Sequence, residues 1–189
     1  DALGSAGAAG SAIMAQAVLP VCAERGLPFA MMIGVRRAVN PLLGQAGDMG
    51  FPADVESLTN LCRDFPQNRF FVTMLPLSNQ HDLAVAARKF PNLMVFGCWW
   101  FLNTDTTVEW ITRIRLELLG TTFIPQHSDA RVLEQILYKW THFLKILGNV
   151  LTDQYVKLAK AGWPVTPSKI RADVRLYLHD NFTRFAGLR

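Results

Sequence analysis

The 189-residue sequence is poor in cysteine and has no long apolar run. Its three cysteines, Cys22, Cys62 and Cys98, are far apart in apolar contexts and lack the paired spacing of a zinc site. They predict buried free thiols in a reducing compartment. No apolar run approaches the roughly 18 residues that a membrane-spanning helix requires. The sequence therefore predicts a cytoplasmic protein that does not act at a membrane.

Clustered charge is also scarce. The net charge is +4, but the 19 lysines and arginines are scattered, and no five of them are consecutive. A diffuse positive balance is typical of a solvated surface, which argues against a nucleic-acid partner. Hydrophobic residues make up 50% of the chain and aromatic residues 11%, which predicts a globular domain with a sizeable core.

The start of the chain lacks an initiator Met and a signal peptide. Asp1 is the first residue, and Ala2–Ala9 is a small-residue segment without the basic-then-apolar order of a leader. We therefore expect the chain to be a piece of a longer protein, with residues 1–189 forming a single partial domain.

Apolar segments of strand length alternate with segments of helical periodicity. The strand-like segments are near-continuously apolar, as in strands covered on both faces, and comprise residues 27–35, 69–75, 93–99 and 121–124. The helical segments comprise residues 11–25, 54–65, 78–90 and 105–119. This order predicts an α/β fold with about four parallel strands. They form either a small open sheet or half of a (β/α)8 barrel, which needs about 250 residues in full.

The predicted strands stop before the C-terminal third of the chain. Pro125 cannot donate to a central ladder, so the fourth strand is expected to end near Ile124. An apolar stripe at helical spacing begins at Val132, and Thr166-Pro167 is a typical helix start. Residues 132–189 therefore predict a C-terminal helical segment packed on the strand-bearing part.

Unusual side chains cluster where the predicted strands end. They are Arg36, Arg37, Trp99, Trp100, His127, Asp129 and Arg131. In α/β folds, ligands gather beyond the carboxyl ends of the strands. The sequence therefore predicts a functional site at this edge.

The stretch Thr121–Arg131 permits two interpretations. In an extended chain alternate side chains share a face, so His127, Asp129 and Arg131 would all point at one pocket. A carboxylate there is a common metal ligand or general base, and a guanidinium is suited to clamping a substrate carboxylate. Alternatively, Asp129 caps a helix that begins at Ala130, Arg131 faces solvent and His127 is a structural histidine.

The two pairs of adjacent residues also leave alternatives open. Neighbours in a strand face opposite ways, so one tryptophan would face the pocket, where a flat apolar wall suits a sugar ring. Alternatively, both tryptophans belong to the core. For the same reason only one arginine of the pair is expected to face a pocket. The remaining histidines are interpreted as structural or solvated, and they are His81, His142 and His179.

Several long motifs of rare residues resemble the C-terminal part of the uronate (glucuronate) isomerases. The similarity extends from about Leu27 to the end of the chain. Its motifs are Met32–Arg37 with Asn40-Pro41 and Gly44, Phe96–Phe101, Arg113–Thr121, Phe123–Arg131 and Tyr138–Trp140. The resemblance implies a distorted (β/α)8 barrel of the amidohydrolase superfamily, of which this chain is the C-terminal half. It also implies an isomerase that interconverts D-glucuronate with D-fructuronate and D-galacturonate with D-tagaturonate.

The resemblance further implies roles for individual residues. Asp129 matches the aspartate that follows the last barrel strand, lies beside a divalent metal, often zinc, and serves proton transfer. Arg131 matches an arginine that holds the substrate, and Trp100 matches a tryptophan that lines the pocket. We assign Trp99 to the same substrate-binding set and His127 to a supporting role. Aldose–ketose isomerisation suits such a site, because it needs a base at adjacent carbons and an electrophile on their oxygens.

One departure from the family pattern is serious. The His-x-His metal pair of the family lies on the first barrel strand, and no His-x-His occurs in this sequence. We therefore predict that the chain is inactive and poor in metal on its own, and that its partners are the missing N-terminal half and a small sugar acid. A homo-oligomer is also expected. The alternatives are a non-catalytic half-barrel that binds a sugar acid or a partner, and another amidohydrolase-type hydrolase or decarboxylase.

Overall fold

The computed structural model describes residues 10–188, so Asp1 and the small-residue segment Ala2–Ala9 lie outside the described part. The helices of that part, apart from short 3-10 and π turns, include α1 (Leu19–Glu24), α2 (Val55–Asp64), α3 (Gln80–Lys89), α4 (Asp105–Leu119), α5 (Leu133–Lys160), α6 (Pro167–Arg175) and α7 (Asn181–Ala186). Its strands are β1 (Phe29–Ile33), β2 (Val35–Arg36), β3 (Met49–Gly50), β4 (Phe70–Met74) and β5 (Leu93–Val95).

The main sheet has three parallel strands in the order β1-β4-β5, with Phe70 of β4 opposite both Phe29 and Leu93. The fourth strand, predicted over residues 121–124, is wrong, because those residues do not form a strand. It is reduced to one parallel bridge between Phe96 and Ile124. Ile124 donates its N–H to the β5 carbonyl of Val95 at 3.0 Å and accepts from the N–H of Gly97 at 2.8 Å. Pairing stops there because the next residue, Pro125, has no N–H to donate.

Two apolar cores form on the helical side of the sheet. One contains buried residues of the strands, α2 and α3, including Leu58, Cys62, Phe70, Val72, Met74, Leu83 and Val95. The other lies where α3, α4 and α5 meet and includes Ala84, Val108, Ile111, Phe143, Leu147 and Tyr177. The alternating pattern of helix and strand is thus confirmed as an α/β arrangement of helices on a parallel sheet.

Local capping explains most element bounds. Helix α2 begins after Asp54, whose carboxylate accepts the N–H of Glu56 at 2.9 Å. Helix α4 has the predicted bounds and ends at Gly120, which adopts φ 60°. Helix α3 begins at Gln80, two residues later than the predicted segment 78–90, because Ser78 lies in a preceding 3-10 turn. Helix α5 is one continuous helix of 28 residues, and Val132, where the predicted apolar stripe begins, is at its N-cap position.

A buried arginine fastens the carboxyl ends of the strands to the helices. Arg115 of α4 is 1% exposed and donates to the carbonyl of Gly97 and to Gln80 Oε1, both at 2.8 Å. Gln80 in turn donates to the carbonyl of Met74, at the end of β4, at 2.7 Å. A buried charge is tolerated because carbonyl and amide oxygens replace part of its hydration. This network sets the position of the segment that carries both adjacent tryptophans.

The opposite face of the sheet is only partly covered. The ring of Phe71 packs against Phe182 and Phe185 of α7, with ring centroids 5.7 and 4.8 Å apart. Ala30 and Met32 of β1 remain exposed. Within residues 10–188, none of the helices combines the length and apolar character that crossing a membrane requires.

Candidate active site

A cleft of about 910 Å³ lies beyond the carboxyl ends of the strands. Four separate segments form its walls. Its lining includes Met32, Arg37, Asp48, Trp99, Trp100, Asp129, Arg131 and Lys139. The unusual side chains predicted for this edge are thereby brought together, with the exceptions of Arg36 and His127.

Asp129 lies in a loop and accepts a hydrogen bond from a buried tryptophan. Trp99 Nε1 donates to Asp129 Oδ2 at 2.9 Å. An indole N–H is a donor only, and that of the buried Trp99 finds its acceptor in this carboxylate oxygen. The alternative role as a helix cap is wrong, because α5 begins only at Leu133 with Val132 at its N-cap position. Asp129 Oδ1 makes no hydrogen bond to the described part of the chain, so it is free to act on a ligand.

Backbone strain concentrates in this cleft. Within residues 10–188, three residues other than glycine have positive φ angles, namely Ala38 at 51°, Trp100 at 47° and Asp129 at 39°. All three line the cleft. Such angles cost about 1–3 kcal/mol each and persist where the surrounding structure enforces them, typically at functional sites.

The loop around Asp129 is held by α5. Lys139 Nζ donates to the carbonyls of Ser128 at 2.6 Å and of Asp129 at 3.0 Å. Trp140 Nε1 donates to Ser128 Oγ at 2.8 Å, and the N–H of Arg131 donates to Gln135 Oε1 at 2.7 Å. These bonds fix the main chain while the guanidinium of Arg131 stays exposed at the cleft. A planar guanidinium in this position is suited to a carboxylate ligand.

The prediction that the two tryptophans face opposite sides is wrong. Trp99 is 8% exposed and Trp100 is 40% exposed, yet both line the cleft. The chain leaves the extended conformation here, since Trp100 has a positive φ and opens a short 3-10 turn. Trp100 stacks on Phe101 with ring centroids 4.5 Å apart, which holds its indole as an apolar wall. For the arginine pair, alternation is confirmed: Arg37 lines the cleft, whereas Arg36 lies 4.9 Å over the ring of Phe51.

His127 does not share the cleft with Asp129 and Arg131. It lines a second, mostly apolar cavity of about 380 Å³, and its ring lies 4.9 Å from that of Phe96. Burial lowers the pKa of His127 to about 4, so the imidazole is neutral at pH 7. The expectation of one shared face depended on an extended chain through Arg131, whereas strand pairing ends at Ile124 and Asp129 has a positive φ.

Asp48 is a cleft residue that sequence reasoning missed. Its carboxylate pairs with Arg37 and accepts the N–H of Ala38 at 2.9 Å. These contacts lower the pKa of Asp48, with the Ala38 hydrogen bond as the largest cause and Arg37 next. The signal available in the sequence was that Asp48 is the one acidic residue in an otherwise uncharged loop that follows an arginine pair.

The described residues do not make a complete metal site. Within residues 10–188, no three histidine, cysteine, aspartate or glutamate side chains come together as ligands. Asp129 supplies one free carboxylate oxygen at the cleft, and divalent metals such as zinc are bound by three or four ligands in proteins. The described part of the chain therefore offers one ligand at the cleft, fewer than a zinc site needs.

The solved structures that are similar to this chain include two uronate isomerases. A uronate isomerase from Bacillus halodurans is 51% identical over 94% of this chain, with a TM-score of 0.91, and the chain covers 42% of that protein. A uronate isomerase from Thermotoga maritima, 19% identical over 87% of this chain, shares the fold with a TM-score of 0.75, and the chain covers 38% of it. No protein-family model and no curated protein sequence matches the chain. The predicted resemblance to this family is therefore confirmed, and the chain spans less than half the length of either protein.

Proposed function

We propose that this chain is the C-terminal part of a uronate isomerase, which interconverts D-glucuronate with D-fructuronate and D-galacturonate with D-tagaturonate. The observation that supports it most is the convergence of a free carboxylate oxygen with two guanidinium groups in one cleft, in Asp129, Arg131 and Arg37. Isomerisation of a uronate uses both kinds of group. A guanidinium binds the carboxylate of the sugar acid, and a base moves the proton when the carbonyl shifts to the adjacent carbon.

In the proposed reaction, the residues of this chain bind the sugar acid and move a proton. Arg131 holds the substrate carboxylate, and Trp100, with Trp99 beside it, forms the apolar wall against the carbon chain. Asp129 Oδ1 takes the proton from the carbon next to the carbonyl and returns it to the former carbonyl carbon. The hydroxyl proton on the first of these carbons passes to the former carbonyl oxygen, and the aldose thereby becomes the ketose. Trp99 holds the other oxygen of the carboxylate, which fixes the orientation of the base.

We propose that the complete protein is a (β/α)8 barrel, of which this chain is the C-terminal half. Three parallel strands and the bridge at Ile124 supply one side of such a barrel, and the exposed face at Ala30 and Met32 would meet the missing strands. We further propose a divalent metal, zinc in the first instance, with Asp129 as one ligand and the rest from the N-terminal half. The metal would supply the electrophile for the carbonyl oxygen. We also propose that the complete protein is cytoplasmic and forms a homo-oligomer.

The test compares the complete protein with the 189-residue chain. We expect the complete protein to convert D-glucuronate and D-galacturonate into their ketoses, measured by the appearance of fructuronate and tagaturonate. We expect the 189-residue chain to be inactive and to bind less than one equivalent of zinc in a metal analysis. Turnover together with stoichiometric zinc in the 189-residue chain would show that this chain already contains a complete active site. Binding of uronates without turnover in the complete protein would favour a non-catalytic sugar-acid protein.

The hydrogen bond from Trp99 to Asp129 gives a second prediction. Replacing Trp99 by phenylalanine keeps most of the apolar wall and removes the N–H that orients the carboxylate. Because a hydrogen bond to a charged group contributes about 1.5–3 kcal/mol, kcat of the complete isomerase should fall about tenfold or more. Trp110→Phe is the matched control, since Trp110 lies exposed on α4 outside the cleft. An equal kcat in both variants would remove the orienting role of Trp99.

A further inference from the structure

The segment Arg37–Asp48 forms a closed loop at one wall of the cleft. Strands β2 and β3 pair in antiparallel fashion, with Arg36 opposite Met49, so the first and last residues of the loop face each other at its base. Inside the loop, the N–H of Asn40 donates to the carbonyl of Gly47 at 3.1 Å. A Cβ at Gly47 would lie 1.9 Å from Asn40 O, so the loop closes too tightly for a side chain there.

The carboxylate of Asp48 makes two contacts of different kinds. Oδ1 accepts the N–H of Ala38, the strained residue of this wall, and Oδ2 pairs with Arg37 Nη1. The side chain of Asp48 is 5% exposed, whereas that of Arg37 is 73% exposed. The acid is therefore the buried anchor of the pair, and the guanidinium extends from it into the cleft.

The pairing leaves most donors of Arg37 available. A guanidinium has five N–H groups in a rigid fork, and within residues 10–188 only Nη1 of Arg37 has a recorded partner, which is Asp48. Lys139, the third cation of the cleft, is already engaged with the carbonyls of Ser128 and Asp129. Arg37 is thus a cation that is held by Asp48 and whose remaining donors are available at the cleft.

We propose that Asp48 is a positioning residue, which holds the guanidinium of Arg37 at the cleft so that Arg37, together with Arg131, binds the carboxylate of a sugar acid. The inference rests on the proposed function, because it takes the ligand to be a uronate. Asp48 does not touch the ligand and acts only through Arg37. The buried carboxylate limits the orientations of the arginine, so less conformational entropy is lost when the anion binds.

The variant Asp48→Asn distinguishes the hydrogen bond of Asp48 with Ala38 from its ion pair with Arg37. The asparagine keeps an oxygen for the N–H of Ala38 but loses the charge that pairs with Arg37. Arg37→Met breaks the same pair from its exposed end, and the double variant measures whether the two residues act as one unit. Asp64→Asn is the matched control, because Arg63 and Asp64 form another Arg–Asp pair, exposed and outside the cleft.

The probes are chosen so that binding is measured without turnover. L-gulonate is the uronate with its aldehyde reduced, so it keeps the carboxylate and cannot isomerise. D-glucitol has a hydroxymethyl group in place of that carboxylate and is neutral. Dissociation constants for both are measured by calorimetry on the complete protein and its variants, and melting temperatures verify that each variant is folded.

We expect Asp48→Asn to raise the dissociation constant of L-gulonate about tenfold and to leave that of D-glucitol within twofold. Arg37→Met should show the same selectivity, and the double variant should bind L-gulonate no more weakly than Arg37→Met. Equal weakening for both probes, or multiplicative effects in the double variant, would overturn the inference. If Asp48→Asn does not fold, unchanged L-gulonate binding by Arg37→Met is the overturning result. Absence of uronate turnover in the unmodified protein would instead count against the proposed function.

Discussion

Replacing Asp129 by asparagine is expected to lower kcat of the complete isomerase by a factor on the order of 10²–10⁴, the usual contribution of a positioned acid–base group. Asparagine has nearly the same shape and still offers an oxygen to Trp99 Nε1, so the cleft should remain intact. The variant loses only the carboxylate that we propose as the base for the proton transfer. The measurement is steady-state turnover of D-glucuronate at saturating substrate.

Asp153→Asn is the control for this prediction. Asp153 is an exposed carboxylate on α5 that pairs with Arg113 at 2.6 Å and does not line the cleft. Its replacement should leave kcat within twofold, because exposed ion pairs contribute little. If isomerase activity survives Asp129→Asn at the same level, Asp129 is not the proton-transfer residue.

Replacing Gly97 by alanine is expected to destabilise the protein by about 3 kcal/mol, the combined cost of a positive φ for alanine and of overpacking a filled site. Gly97 adopts φ 68°, and a Cβ there would lie 1.8 Å from His127 Cδ2. The imidazole would have to move, and the loop that carries Asp129 follows it two residues later. The measurement is the urea midpoint of the complete protein.

Gly148→Ala is the control for this prediction, because a side chain is tolerated at that position. Gly148 lies inside α5, and a Cβ there would have no atom within 4 Å. Since glycine in a helix interior costs about 1 kcal/mol relative to alanine, this variant should be slightly more stable than the unmodified protein. A similar loss of stability in both variants would show that the close approach of His127 to Gly97 is not what excludes a side chain.

The helices and the first strands follow local rules, which explains why they could be predicted. Helix α4 begins at Asp105 and ends before Gly120, as its apolar periodicity and terminal glycine indicate. The strands β1, β4 and β5 lie within the predicted apolar segments and are shorter than them. The strands are shorter because an apolar run indicates only that residues are buried. The ends of a strand depend on which neighbouring segments form hydrogen bonds with it.

The site was predictable in its composition and not in its geometry. Asp129, Arg131 and Trp100 were recognised from motifs, and the structure places all three in one cleft, although their roles stay predictions. His127 was predicted to lie with them, because alternate side chains of an extended strand share a face. The strand pairing ends at Ile124, and His127 lies in the second cavity instead. Asp48 was missed, because its partner Arg37 is eleven residues away and no periodicity links the two ends of a loop.

The sequence by itself determined the α/β order of elements, the helix ends and the resemblance to uronate isomerases, because each depends on neighbouring residues or on long motifs. Only the tertiary structure decided which side chains share the cleft. The loop ending at Asp48, the tryptophans and the Asp129 loop meet there from segments far apart in the chain. Their meeting depends on buried contacts such as those of Arg115 with Gly97 and Gln80. Such contacts arise from packing between elements, which a local pattern of residues does not encode.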